Sequence, residues 1–130
     1  MNRRPSFSRG LAAGEFAVCR LPATEPVPAW AGSAVFSSVT RTADELSVMC
    51  PAAQVPPGTQ AERDWRLLKV AGLLDFAMVG VLASITAPLA QAGISLLAVA
   101  TFDTDYVLVK AERLDEALRV LEAAGHTVHR

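Results

Sequence analysis

With 130 residues, the chain has room for one ordinary domain or for two small ones. It is 52% apolar and 19% charged, the balance of a globular protein rather than a disordered one. A net charge of −1 makes no electrostatic case for nucleic acid, whose binding needs extensive clustered Lys and Arg, so no nucleic-acid partner is expected.

Residues 1–13 hold the only basic cluster, Arg3, Arg4 and Arg9, set among Pro, Ser and Gly. They read as a disordered tail, without the apolar segment of an export signal. Glu15–Leu21 (EFAVCRL) is β-branched and aromatic enough for a strand, and Pro22 ends it. Thr24-Glu25-Pro26 has the form of a helix start, but Pro28 and Gly32 leave space for roughly one turn around Trp30. Ala34–Arg41 and Glu45–Cys50 are two more strands, joined through Thr42-Ala43-Asp44, and Pro51 stops the second. Residues 14–56 therefore form an abbreviated β-α-β-β unit, and the Pro-rich stretch that follows makes residues 57–64 a linker. Cys19 and Cys50 can pair in principle. In apolar strand surroundings and without an export signal, buried free thiols are the expected state.

The second unit, residues 65–130, opens with a strand over Trp65–Ala71 and a loop over Gly72–Val79. A helix follows from Gly80 to Ala92, with Val81, Leu82, Ile85 and Leu89 on one face. Pro88 inside it removes an amide donor and predicts a kink or a break into two turns, and Gly93 suits the left-handed residue that ends a helix. Ile94–Thr101 is an apolar strand paired with Asp105–Lys110 across the bend at Asp103-Thr104. Arg113–Ala124 is the second helix, with Leu114, Ala117, Leu118 and Leu121 on its apolar face and Gly125 at its end. Thr127–His129 adds a last short strand. This order, β-α-β-β-α-β, is the ferredoxin-like α+β arrangement, an antiparallel sheet with both helices on one face. The first unit repeats its opening portion, which suggests a weak internal duplication.

From Phe76 to Phe102 no residue is charged, a run longer than the roughly 20 residues of a membrane span. Pro88, Gln91 and Gly93 interrupt it, the flanks lack a Lys/Arg asymmetry, and its two halves differ in period, so no membrane partner is expected.

Five pieces of the second half, WRLLKVAGLLDF (65–76), VGVLAS (79–84), APLAQAGISL (87–96), TFDTDYVLV (101–109) and LDEALRVLEAAG (114–125), together resemble ACT domains. More narrowly, the chain resembles the paired-ACT proteins that include the cytosolic arginine sensor of animal cells and small bacterial relatives. The first half matches more loosely, through ELSVMCP (45–51). The resemblance implies two tandem ACT-like subdomains with the first abbreviated. It also implies a cytoplasmic homodimer that binds an amino acid or similar small ligand at an interface between ACT domains and regulates rather than catalyses.

A free amino acid presents a carboxylate and an ammonium. The unpaired amides of a helix start suit the carboxylate, so Gly80, Val81 and Leu82 are candidates, and glycine lets a ligand approach the backbone closely. The resemblance places the ligand at this same helix start. The bend Thr101-Phe102-Asp103-Thr104-Asp105 offers acceptors for a cation through charge-assisted bonds, worth roughly 1.5–3 kcal/mol each when partly buried. The resemblance favours Asp105, since the matching aspartate of the arginine sensor meets its ligand. Asp and Thr are equally ordinary turn residues, which is the plain structural account of Asp103 and Thr104. Asp75 either caps the loop before the helix or faces the ligand. His126 and His129 make an H-x-x-H too small for a metal site, so no metal or cofactor is expected. No nucleophile motif, P-loop or G-x-G-x-x-G occurs, and no enzymatic activity is expected. The alternative to a ligand sensor is a dimerisation or protein-docking module with no small-molecule ligand.

Overall fold

The computed structural model describes residues 6–8, 14–70 and 80–129. Their strands are β1 (Ser6–Ser8), β2 (Phe16–Leu21), β3 (Ser38–Arg41), β4 (Leu46–Pro51), β5 (Ala61–Val70), β6 (Leu96–Ala100), β7 (Asp105–Lys110) and β8 (Thr127–His129). Two α-helices, α1 (Val81–Gln91) and α2 (Leu114–Ala123), complete the α+β architecture. The chain divides into two compact units, one formed by Gly14–Trp65 and the other by residues from both chain ends, its second part opening at Arg66.

The N-terminal unit carries four strands in the order β3-β4-β2-β5, all antiparallel. This is the strand order of a ferredoxin-like unit. Single 3-10 turns at Ala29–Ala31 and Ala52–Gln54 stand where its helices would be. Alternation along β2 and β4 turns Ala17, Cys19, Leu46, Val48 and Cys50 into one small core, closed by Ala31 and Val55. The Gln54 side-chain amide holds the turn over this core by donating to the carbonyls of Trp30 at 2.8 Å and Gly32 at 2.7 Å. Both cysteines are free and buried. Cys19 pairs across the sheet with Val48, and Cys50 with Ala17, so the two thiols sit diagonally. Diagonal neighbours lie roughly 7–8 Å apart, beyond the usual Cα separation of a disulfide without backbone movement.

The other unit has the strand order β8-β1-β5-β7-β6. Its core lies between the sheet and the helices: Leu68, Val70, Val107 and Val109 meet Ile85 and Leu89 of α1 and Leu114, Ala117, Leu118 and Leu121 of α2. Both helices end in the same way. Gly93 (φ 73) and Gly125 (φ 97) take the left-handed position, and the next residue's amide reaches back to the helix, Ile94 to the Leu89 carbonyl at 2.9 Å and His126 to the Leu121 carbonyl at 3.0 Å. Arg113 binds Glu116 in a two-pronged pair and also reaches the carbonyls of Ala92 and Gly93 at the end of α1.

Several expectations need correction. The tail is not wholly disordered, because Ser6–Ser8 lie as a strand between β5 and β8, antiparallel to the first and parallel to the second. A three-residue strand has no period to read, and its place is set by the two backbone edges it joins. The linker assigned to 57–64 is half strand, since Ala61–Asp64 open β5, paired with Val18 and Cys19. Three consecutive charged residues, Glu62, Arg63 and Asp64, hide the strand pattern there, and the register slips at Asp64, whose φ of 70 marks a bulge. Leu82 is 39% exposed instead of facing the core, and α1 runs as one helix through Pro88. The expected loop at 72–79 falls outside the described residues.

Candidate functional site

Connectivity brings the helix start and the acidic bend to one end of the C-terminal sheet. Asp105, first in β7, pairs with Ala100, last in β6. The Thr104 hydroxyl beside it donates to the Val70 carbonyl at the end of β5, at 2.9 Å. From Gln91 the chain returns within a few residues to Leu96 at the opposite end of β6. An eleven-residue helix and a five-residue strand each span about 16 Å, so α1 begins beside the Ala100–Asp105 end. Asp105 alternates with Val107 and Val109, which belong to the helix-side core, so its side chain leaves the sheet on the face that carries α1.

Gly80 is the N-cap of α1, left-handed at φ 80, and among the described residues no side chain caps the helix. The Gly80 carbonyl accepts from the Ser84 amide at 2.9 Å, so the first intrahelical bond forms while the amides of Val81 and Leu82, which precede it, have no intrahelical acceptor. They carry the positive end of the helix dipole, to which a carboxylate is attracted. Val81 packs against the core and Leu82 faces outward.

The bend is knit internally. The Thr101 amide and hydroxyl both donate to the Thr104 carbonyl, at 2.9 and 2.8 Å, and the Thr104 amide returns to the Thr101 hydroxyl at 3.3 Å. Thr104 is buried, with its hydroxyl proton committed to Val70. These bonds fix the backbone on either side of Asp103 and Asp105. Asp103 is exposed, Asp105 half-buried, and Phe102 is 80% exposed at the tip. Gly80, Val81, Leu82 and the five bend residues thus share one end of the unit, whereas Asp75 lies outside the described residues.

The sequence reading missed His126 as a structural group. It is buried, and its ring Nε2 lies 2.8 Å from the Ser84 carbonyl of α1. The signal was present as a proline four residues after Ser84. His129 is exposed, and among the described residues no group of three His, Cys, Asp or Glu is placed to hold a metal ion. The N-terminal unit has its own concavity of about 210 Å³, where Arg20, Glu45, Ser47, Gln60 and Glu62 surround Val18 and Ala61. Arg20 there donates to the Asp44 carbonyl at 3.1 Å.

Residues 60–123 match the family model of the ACT domain, and residues 14–58 match a second model described as an N-terminal domain. A solved structure of a protein from Agobacterium tumefaciens is 33% identical, covers 99% of this chain and 98% of its own, and superposes with a TM-score of 0.91. Residues 60–123 belong to the ACT-domain family. The ACT match contains both the start of α1 and the bend from Thr101 to Asp105. A Vibrio cholerae protein described as a possible transport protein is 20% identical, with 93% of this chain and 88% of its own covered and a TM-score of 0.66. The regulatory subunit of aspartate kinase from Thermus thermophilus is 14% identical, with 92% and 97% covered and a TM-score of 0.63. At those identities the likeness is one of fold. No match was found among curated proteins. ACT domains and the regulatory subunits of aspartate kinase are non-catalytic, and the family match carries the ACT part of the resemblance but not its arginine-specific part.

Proposed function

We propose that this ACT protein is a non-catalytic sensor of a free amino acid or a closely similar zwitterion, bound where α1 begins and completed by an ACT domain of a second copy. The amides of Val81 and Leu82 receive the carboxylate, and Asp105, with Asp103 beside it, receives the ammonium. The observation that carries this reading is the shared location of Asp105 and the start of α1, at one sheet end and on one sheet face. Asp75 belongs to the same proposal through the loop before the helix. A signal passes on through differential affinity for two assembly states.

A thermal-shift screen over the common amino acids tests it. The true ligand at a hundred times its Kd adds roughly 2.7 kcal/mol and raises the midpoint with concentration. Asp105→Ala should abolish that rise while leaving the unliganded midpoint within about 1 kcal/mol of the parent. A full response in the variant places the site elsewhere. The exposed ring of Phe102 favours a second reading, a docking module without a small ligand, and a flat response to every amino acid would support it.

A further inference from the structure

Pro88 has no amide hydrogen, so the carbonyl four residues before it, that of Ser84, loses its ordinary i+4 donor within α1. The ring of His126 stands at that carbonyl, with Nε2 at 2.8 Å. A carbonyl only accepts, so the proton between them is on Nε2.

We propose that His126 supplies the donor that Pro88 removes, and so latches the end of α2 to the middle of α1, acting as a positioning residue for the helix start. The two helix ends supply an internal comparison. Each closes with a left-handed glycine followed by a residue whose amide bonds back to the helix, and that residue ordinarily makes an apolar contact with the last turn. After α1 it is Ile94, 3% exposed and part of the core; after α2 it is His126, 4% exposed. In that apolar slot the imidazole of His126 has its ring hydrogen bond to Ser84 to offset its burial. Its backbone is fixed by the bond to Leu121, so the ring reaches Ser84 from a rigid base. Ser84 also donates its hydroxyl to the Val81 carbonyl at 2.6 Å, so the latched residue is tied directly to the first turn. The latch requires no ligand and stands whether or not the site takes an amino acid.

A double-mutant cycle with Pro88→Ala tests it. Alanine restores an amide that can reach Ser84, so the donor from His126 becomes redundant. His126→Ala should raise the unfolding equilibrium constant about tenfold more in the parent chain than in the Pro88→Ala background, the effect of stranding one buried carbonyl. Amide exchange across residues 81–87 should speed up with it and return to the parent rate in the double variant. His126→Gln keeps an amide donor at the same reach and should preserve slow exchange, whereas His126→Leu should not. Equal costs in both backgrounds would overturn the proposal. Nitrogen-15 spectra of the imidazole in the unaltered chain decide it independently of any variant: a proton on Nε2 is required, and the Nδ1–H tautomer rules the latch out.

Discussion

Thr104 and Asp105 are adjacent in sequence, and the fold uses them in opposite ways. The Thr104 hydroxyl is consumed inside the protein, bonded to Val70 in a site 3% exposed. Asp105 opens β7 half-buried, on the helix side of the sheet. Thr104→Val keeps the shape but strands a carbonyl, and should cost about 1–3 kcal/mol in urea denaturation. The sequence marked both residues as candidates because polar residues at a bend all look alike. What separates them is a bond to a residue 34 positions away, which no local pattern contains. Cys50 behaves as the apolar reading of its surroundings implies. Burial, with neighbouring Cys19 adding to it, pushes its thiol from the ordinary 9.0 to about 11. Between those values the unfolded chain releases the proton and the folded chain retains it. Stability is therefore full below pH 9 and declines as pH rises toward 11. The loss approaches about 3 kcal/mol from this group, and Cys50→Ala should flatten that part of the slope in urea midpoints taken across the range.

At the scale of elements, legibility followed period. In α2, apolar residues recur at helical spacing with charges opposite, and Leu114, Ala117, Leu118 and Leu121 are all buried as the spacing requires. The start of α1 is legible in Gly80, but its apolar face is narrower than the sequence implies, because Leu82 is as apolar as its buried neighbours and differs only in angle around the axis. The 3-10 turn at Ala29–Ala31 was visible as a helix start cut short by Pro28 and Gly32, a matter of local backbone chemistry. Gly93 and Gly125 were read as helix ends for the same reason, and both are left-handed. A Cβ at Gly93 would meet nothing within 4 Å, so the cost of Gly93→Ala is purely conformational. It should come to about 1–2 kcal/mol by thermal denaturation, with Gly93→Asn milder because asparagine tolerates the left-handed region.

At the scale of the whole molecule, the chain begins in one unit, leaves it to build the N-terminal unit, and returns through β5. That strand serves one unit as far as Trp65 and the other from Arg66. The C-terminal unit is thus discontinuous in sequence, and composition hid this because its first strand reads as a tail. Phe7 and Ser8 pair with Val70 and Lys69 on one side, while Ser6, Phe7 and Ser8 pair with Thr127, Val128 and His129 on the other. Deleting residues 1–8 therefore removes the strand that joins β8 to the rest of its sheet. Amide exchange at Thr127–His129 should rise toward that of an unpaired segment, and the thermal midpoint should fall by roughly 4–8 °C for each kcal/mol lost. Exchange at Ala17, Cys19 and Val48, held by the pairing of β2 with β4, should stay unchanged in the same sample. If β8 keeps its protection after the deletion, α2 and the His126 latch hold the C-terminus without help from the other end of the chain. If it loses protection while the β2–β4 pairing keeps it, the two chain ends form one structural element, and a fusion placed before Ser6 must leave that strand free to pair.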